Sequence, residues 1–284
     1  MFPKVPDQHK PNKPLVPNGL GVFYVLVSVA YLFIIYFFDV VKTSNGVSAP
    51  LTLAVCILFG GFMGLLDEWM DVKWRYKAFL PLIAALPLTV FAQMLPLRPT
   101  VSIPFIGTID FGTAYYFLII PLLVTVVTNT VNQLGGLNGL ETIPPAIVMI
   151  GLMIISGEKA ILLCIPLTAW LLLAIQNFRG KIFVGNTGSF AIGMTVAAFA
   201  VISDLKLDLV ISILPYVFNS SLILLTFFFF RKKANVSFDG KKLSSDHRRS
   251  LITLITYHRK LTERQVVTMI SALVAISTLF ALLI

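Results

Sequence analysis

Residues 50–77 have the sequence PLTLAVCILFGGFMGLLDEWMDVKWRYK, in which an apolar run leads directly into a dense cluster of charges. The apolar run, 50–66, predicts a helix buried in a bilayer. The cluster, 67–77, holds three carboxylates and three cations in eleven residues. Carboxylates at the mouth of a membrane helix are costly and suggest a functional site. The stretch therefore predicts a membrane helix that ends in a polar site.

The charge cluster allows two interpretations. If the helix continues, Asp67 and Asp71 lie four residues apart on one face with Glu68 beside them, a face that would attract a hard divalent cation. The cations at 73–77 would then suit the phosphates that accompany such a metal. Alternatively, the charges form an interfacial belt anchored by the aromatic residues among them. This stretch alone leaves both interpretations open.

Composition places the whole chain in a membrane. Hydrophobic residues make up 57% of the 284 residues, charged residues 12%, and the mean hydropathy is +0.89. Soluble proteins carry about a quarter charged residues. The net charge of +9 is expected in cytoplasmic loops, so we predict a lipid bilayer and no nucleic acid as partner. Cys56 and Cys164 lie in apolar runs and form no disulfide framework or metal spacing.

The predicted fold class is all-α: a polytopic helical bundle of about nine membrane helices in a single domain, 1–284. Helices are favoured because backbone polar groups must be satisfied inside the bilayer. The nine apolar segments are 19–41, 50–66, 78–97, 113–131, 143–155, 160–175, 188–202, 209–230 and 266–284.

Charge parity orients the bundle. If 1–18 is a flexible basic cytoplasmic arm, 18 Lys and Arg face the cytoplasm, and four lie outside. This parity also requires 143–155 and 160–175 to be separate helices. The loop 231–265 is then cytoplasmic and basic, and 98–112 is an external hairpin. Every polar motif falls on the cytoplasmic side.

Two further polar clusters flank apolar segments. Asn129 and Asn132 share a helix face and precede the glycine-rich run 135–141, which offers neutral oxygens and a loop that a ligand can approach closely. A helix C-terminus with a glycine stop is the alternative. The stretch 185–189, Gly-Asn-Thr-Gly-Ser, suggests an anion-facing turn before a helix, or a simple N-cap.

The last cytoplasmic loop, 231–265, contains ten Lys and Arg together with the run Asp246-His247-Arg248-Arg249. It could contact anionic lipid headgroups. It could equally close over a diphosphate substrate. For His258, a plain surface position is the expectation.

Taken together, these motifs resemble those of the polyprenyl-phosphate N-acetylhexosamine-1-phosphate transferases, and most closely the dolichyl-phosphate branch of archaea and eukaryotes. The resemblance covers nearly the whole chain. Its strongest parts are Asp67 and Glu68 with the cations at 73–77, and Asn129-x-x-Asn132 with the run 136–141.

The resemblance implies that a lipid phosphate attacks the β-phosphate of a UDP-N-acetylhexosamine, most simply UDP-N-acetylglucosamine. UMP leaves and a polyprenyl (dolichyl) diphosphate sugar remains, the first step of lipid-linked oligosaccharide assembly for N-glycosylation. It implies a Mg²⁺ cofactor, with Mn²⁺ as a substitute, and a homodimer. The enzyme would be multi-pass in the cell membrane, or in the endoplasmic reticulum of a eukaryote, with a cytoplasmic active site. The implied residues are catalytic Asp67, Glu68 and Lys77; substrate-binding Asn129, Asn138, Glu141, Arg179, His247 and Arg248; and metal-binding Asn132 and Asn186.

Four departures from the family pattern qualify these expectations. Glu68 replaces an aspartate, Asn186 replaces a metal-binding aspartate, and the histidine-rich motif is reduced to 246–249. The family usually has ten helices, so the first is expected to be missing. Two alternatives remain: an undecaprenyl-phosphate sugar-1-phosphate transferase of bacterial envelope synthesis, or a degenerate, non-catalytic lipid-binding relative. A transporter is disfavoured, because no repeat symmetry or mid-membrane charge is present.

Overall fold

A computed structural model describes residues 2–43, 46–95, 99–103, 107–231 and 234–284. In these ranges a helix lies at each of the nine predicted apolar segments. The α-helices are α1 Gly21–Phe37, α2 Ala49–Met70, α3 Trp74–Ala84, α4 Leu86–Met94, α5 Ile120–Gln133, α6 Ile143–Ile155, α7 Cys164–Phe178, α8 Gly185–Ile202, α9 Lys206–Ser212, α10 Leu214–Leu225, α11 Leu251–Ile255 and α12 Glu263–Ala281. Turns of π-helix at Tyr115–Ile119 and Thr226–Phe230 extend α5 and α10, and the 3₁₀ segment Gly157–Leu163 leads into α7.

The all-α, polytopic fold class is confirmed, but the number of spans is smaller than nine by length. Within the described ranges, six helices are long and apolar enough to cross a membrane, or seven if α9 and α10, bent by 58°, form one span. The helices α1 and α6 have 17 and 13 residues. At 1.5 Å per residue, 13 residues reach about 20 Å of the roughly 30 Å hydrocarbon core.

Strands occur in the described residues as three small antiparallel hairpins. They are β1 Lys4–Pro6 with β2 Leu15–Pro17, β3 Thr100–Ile103 with β4 Gly107–Asp110, and β5 Ser237–Phe238 with β6 Leu243–Ser244. The β3–β4 pair confirms the predicted hairpin, whose turn, 104–106, lies outside the described residues; its external position stays a prediction.

The N-terminal arm is a folded hairpin, so the prediction of a flexible arm is wrong. Lys4 pairs with Pro17 and Val5 with Val16 across β1 and β2. The backbone N–H of Phe183 donates to the carbonyl of Pro17 at 2.8 Å, and that of Gly21 to the carbonyl of Val184 at 2.9 Å. The first bond joins the arm, and the second the start of α1, to the segment that leads into α8, which fixes the position of the arm.

The bundle is centred on α8. Every residue from Thr187 to Ile202 is buried, and α8 packs most extensively on α2 and α5. Glycines allow this close packing: a Cβ at Gly64 would lie 2.2 Å from the carbonyl oxygen of Asn186, and one at Gly21 would lie 2.2 Å from the Cα of Gly188. Small residues of this kind let membrane helices approach backbone to backbone.

Candidate active site

Asp67, one turn before the end of α2, is the centre of the polar site. Its side chain is buried, 4% exposed. Asp67 Oδ1 pairs with Lys77 Nζ at 2.6 Å, and Asp67 Oδ2 accepts a hydrogen bond from Asn186 Nδ2 at 2.7 Å. A buried carboxylate is stable only when it is paired and hydrogen-bonded, and both conditions are met here.

The end of α2 explains how Lys77 reaches Asp67. Asp71 adopts a left-handed conformation with φ of 47°, which stops the helix after Met70. The chain then reverses into α3, which carries Lys77 back beside Asp67. Asp71 is exposed and lies outside the helix, so the expectation that Asp67 and Asp71 share one helical face is wrong.

Glu68 contacts the first turn of α8. Its Oε1 accepts the backbone N–H of Thr187, and its Oε2 accepts the Thr187 hydroxyl, both at 3.1 Å. Gly185 has a φ of 69°, and a Cβ there would lie 2.0 Å from Glu68 Oε1. A carboxylate at a helix N-terminus is favoured by the helix dipole. Glu68 therefore holds α8 in place, while its catalytic role remains a prediction.

The two asparagines of α5 differ in their contacts. Asn132 Oδ1 accepts a hydrogen bond from Ser189 Oγ of α8 at 2.6 Å, which places it in the same network as Asn186. Asn129 Nδ2 donates to the carbonyls of Ala78 and Thr125, at 3.2 and 3.0 Å. Asn129 thus ties α5 to α3, and its substrate-binding role remains a prediction.

The loop 134–142 follows α5 and contains the predicted substrate-binding residues Asn138 and Glu141. Asn138 is buried, and its Nδ2 donates to Asp7 Oδ2 at 2.7 Å and to Glu263 Oε1 at 3.0 Å. Glu141 Oε1 accepts the backbone N–H of Gly136 at 3.2 Å. Burial raises the pKa of Glu141, and the nearby charge of Glu68 raises this pKa further. Glu141 is therefore electrostatically coupled to the acidic site.

Arg179, His247 and Arg248 are the remaining predicted substrate-binding residues. Arg179 is exposed at the end of α7. His247 Nε2 lies 4.0 Å from Asp246 Oδ1, and the Arg248 guanidinium lies 4.1 Å from the centre of the Tyr257 ring. Within the described residues, no hydrogen bond or ion pair joins these three side chains to the Asp67 network, and their substrate-binding roles remain predictions.

A cavity of about 450 Å³ opens beside the acidic site, between α3, α5 and α10. Its polar lining includes Lys77, Asn129 and Asn132. Val126, Val217 and Leu224 are among its apolar walls. Val126 and Leu224 are 36% and 41% exposed, so part of the apolar lining lies at the surface of the bundle. A cavity of this kind suits a molecule with an anionic head and a hydrocarbon tail.

The donor set around Asp67 fits a hard divalent cation. The carboxylates of Asp67 and Glu68 and the carboxamides of Asn132 and Asn186 are joined through α8, and Mg²⁺ prefers such oxygen ligands. Asn186 directs its nitrogen at Asp67; rotating the carboxamide by 180° would present its oxygen instead. Of the two residues predicted to hold Mg²⁺, Asn186 contacts Asp67 directly, and Asn132 is linked to Asn186 through Ser189.

Sequence reasoning missed Ser189, Thr187, Asp7 and Glu263 as members of this region. The first two lie in the Gly-Asn-Thr-Gly-Ser run, so that run was a usable signal. Asp7 and Glu263 gave no local signal, because their shared partner Asn138 is more than a hundred residues from each.

Comparisons with known proteins agree with this geometry. A protein of Saccharolobus solfataricus, provisionally named UDP-N-acetylglucosamine–dolichyl-phosphate N-acetylglucosaminephosphotransferase, is 30% identical over 98% of this chain and 86% of its own length. The Schizosaccharomyces pombe protein of that name is 24% identical over 76% of this chain, which spans 59% of the yeast protein. A Streptococcus uberis phospho-N-acetylmuramoyl-pentapeptide-transferase is 26% identical over 80% of this chain and 71% of its own length.

The family model described as glycosyl transferase family 4 matches residues 50–204, more than half of the chain. The matched range contains Asp67, Lys77, Asn132 and Asn186, so it includes the acidic site itself. The resemblance predicted from the motifs is confirmed, and the chain belongs to glycosyl transferase family 4.

Proposed function

We propose that this protein transfers N-acetylglucosamine 1-phosphate from UDP-N-acetylglucosamine to a dolichyl-type polyprenyl phosphate, with release of UMP. One observation carries the proposal: Lys77, which pairs with the buried Asp67, lines a cavity whose apolar lining includes side chains exposed at the surface of the bundle. A lipid phosphate seated there would place its headgroup at Lys77 and its first isoprene units along Val126 and Leu224.

Phosphoryl transfer requires positioning and charge neutralisation more than covalent assistance. Lys77 Nζ can neutralise the incoming lipid phosphate, and binding would loosen its pair with Asp67. The freed Asp67 carboxylate can then accept the proton of the lipid phosphate's P–OH group, so that this oxygen attacks the β-phosphate of the UDP-sugar and UMP leaves. Glu68, through Thr187, keeps Asn186 beside Asp67.

Mg²⁺ is the proposed cofactor, with Mn²⁺ as a substitute. Asn132 and Asn186 would hold it together with Asp67, and when bound it would offset the negative charge of the diphosphate. Asn186 contributes an oxygen without a charge. We therefore expect weaker Mg²⁺ binding than a site with two aspartates would show.

The soluble substrate is proposed to enter from the cytoplasm. The acidic site, the loop 134–142 and the start of α8 lie at one end of the bundle, and that end carries most of the basic residues by sequence. The protein would be multi-pass in the cell membrane, or in the endoplasmic reticulum membrane of a eukaryote. A homodimer stays a prediction.

The test is UMP release from UDP-N-acetylglucosamine by purified protein, with dolichyl phosphate present or omitted and with Mg²⁺ or EDTA. We expect release that requires both the lipid and the metal. Folded protein that binds the nucleotide sugar yet releases no UMP with any acceptor would contradict the proposal and favour the non-catalytic alternative.

The second candidate is a bacterial-type transferase acting on undecaprenyl phosphate, which the similarity to the Streptococcus uberis relative favours. An acceptor panel separates the two. Preference for undecaprenyl over dolichyl phosphate, measured as kcat/KM with one nucleotide sugar, would replace the first proposal with the second.

A further inference from the structure

The arm hairpin, the loop 134–142 and the start of α12 meet in one buried network that the proposed reaction does not use. Asp7 comes from the turn after β1, and Glu263 is the first residue of α12. They are 2% and 8% exposed. Burial of two carboxylates this close together is costly unless both are paired. The hydrogen-bond and ion-pair partners of each carboxylate therefore decide whether the network is stable.

Glu263 is the hub of the network. Its Oε1 accepts the backbone N–H of Asn138 at 2.7 Å and Asn138 Nδ2 at 3.0 Å. Its Oε2 pairs with Lys10 Nζ. Asp7 Oδ2 accepts the same Asn138 Nδ2 at 2.7 Å, and Asp7 Oδ1 accepts the backbone N–H of His9 at 3.1 Å. The arm and α12 therefore hold Asn138 from two directions.

These contacts also decide against a metal at this place. The ligand atoms of Asp7, His9 and Glu263 lie within 4.8 Å of one another, a spacing compatible with a cation. However, Lys10 and the Asn138 carboxamide already occupy the two carboxylates as donors. The network of Asp7, Lys10, Asn138 and Glu263 is therefore a tether that joins the arm, the loop 134–142 and α12.

The tether fixes the loop 134–142, which follows Asn132 and contains Glu141, two residues linked to the acidic site. Asn132, which bonds Ser189, precedes Asn138 by six residues, and Glu141 follows it by three. The next residue, Gly139, is also held, because its backbone N–H donates to Asn177 Oδ1 at 2.8 Å. Any movement of Asn138 would shift Glu141 and the end of α5 together.

The tether also lies on the side where a water-soluble substrate must arrive. The lipid-facing cavity opens between α3, α5 and α10, on the Lys77 side of Asp67. The arm instead bonds Phe183 through Pro17, and Gly21 at the start of α1 bonds Val184, just before Asn186. A nucleotide sugar cannot enter through the bilayer, so it reaches Asp67 past the loop 134–142 and the arm.

We propose that Asp7 and Glu263 are positioning residues, which act through Asn138 to hold the loop 134–142 in the form that binds the nucleotide sugar. This inference rests on the proposed function for the identity of that substrate. It adds the N-terminal hairpin and the start of α12 to the machinery that binds it.

The test compares Asp7→Asn, Glu263→Gln and the double variant with two matched controls. Asp39→Asn and Glu158→Gln remove the same charges from exposed side chains. The measurements are the Kd for UDP-N-acetylglucosamine, kcat, the KM for each of the two substrates, and the rate of hydrogen exchange in the peptide 2–20.

We expect each single variant to raise the Kd and KM for the nucleotide sugar about tenfold, the effect of losing one charged hydrogen bond. The KM for dolichyl phosphate and kcat should change less than about twofold, and exchange of 2–20 should accelerate. The double variant should exceed the larger single effect only slightly, because both carboxylates act on one partner.

Faster exchange with an unchanged Kd for the nucleotide sugar would overturn the positioning role, and unchanged exchange would overturn the tether. An equal loss for both substrates would indicate a merely structural effect and also overturn it. Wild-type protein that binds the nucleotide sugar without turnover would contradict the proposed function alone, since the Kd and the exchange rates still decide the inference.

Discussion

Asp67 and Asn186 are 119 residues apart in the chain, yet Asn186 Nδ2 donates a 2.7 Å hydrogen bond to Asp67 Oδ2. This bond joins the end of α2 to the start of α8 at the centre of the proposed site. An aspartate at 186 would place two carboxylates in contact, whereas the asparagine satisfies Asp67 without a metal. The amide therefore stabilises the metal-free site and reduces its charge.

The first prediction concerns Asp67. Asp67→Asn should lower kcat by about 10²- to 10⁴-fold, because the amide cannot accept or orient a proton as a carboxylate does. Asp71→Asn is the control: it removes a nearby exposed carboxylate and suits the left-handed backbone there. Both are checked by UMP release and by thermal unfolding. Full activity in Asp67→Asn would refute its catalytic assignment.

Substitutions of Glu68 distinguish a structural role in holding α8 from a catalytic role. Glu68→Gln keeps an acceptor for the Thr187 N–H, and its NH₂ can donate to the Thr187 hydroxyl, so activity should fall less than about threefold. Glu68→Ala leaves both buried groups unpaired, at a cost of about 1–3 kcal/mol in unfolding free energy. Unfolding in denaturant and steady-state kinetics measure the two effects. Complete inactivity of a folded Glu68→Gln variant would show that the charge itself is required.

Asn186→Asp should tighten the proposed Mg²⁺ site. The added charge should lower the Mg²⁺ concentration for half-maximal activity by roughly tenfold. Without metal, the two carboxylates repel, so Tm should fall and Mg²⁺ should restore it. Tm against Mg²⁺ concentration checks this without relying on turnover. A variant that needs more Mg²⁺ than the wild type would remove Asn186 from the metal ligands.

Glu141 predicts a pH dependence of stability. Burial raises its pKa above the ordinary value of 4.5, so its ionised form is disfavoured in the folded protein. The loss of folding stability caused by Glu141 is absent well below pH 4.5 and grows as the pH rises from 4.5 to the raised pKa. Glu141→Gln should therefore raise Tm at neutral pH, and the gain should vanish in acid. Equal gains at both pH values would rule out this cause.

Gly64 tests the packing of α2 on α8. Gly64→Ala places a methyl group 2.2 Å from the carbonyl oxygen of Asn186, so the helices must separate. Overpacking of this kind costs about 1–3 kcal/mol in unfolding free energy. Leu65→Ala, at an exposed position on the same helix, is the control. The comparison uses unfolding in detergent, and equal effects would argue against close helix contact.

Much of the architecture could be predicted from the sequence, because a membrane helix requires a long run of apolar residues. All nine segments contain helices, and α6 begins and ends where predicted. Asp67 and Lys77 were predicted as site residues from the acidic motif and the cations that follow it, and the structure pairs them across one short reversal. The reversal itself was not predicted, because the left-handed conformation of Asp71 is rare for a residue other than glycine.

The long-range polar contacts could not be predicted. Lys10 and Glu263 pair across 253 residues, and neither has a local pattern that names its partner. The proline-rich arm suggested flexibility, yet the backbone bonds to the segment before α8 give it structure. Local propensity cannot report such tertiary partners, which are set by the packing of the whole bundle.

The burial of α8 has a consequence for biogenesis. Helices enter the membrane in order of synthesis, so α2 is inserted well before α8 exists, and Asp67 begins without the Asn186 amide beside it. Lys77, ten residues on, can protect that carboxylate during the interval. When α8 is inserted later, it must move from the lipid to its position against α2 and α5, which are already in the membrane. The network around Asp67 is thus completed only once α8 has been inserted.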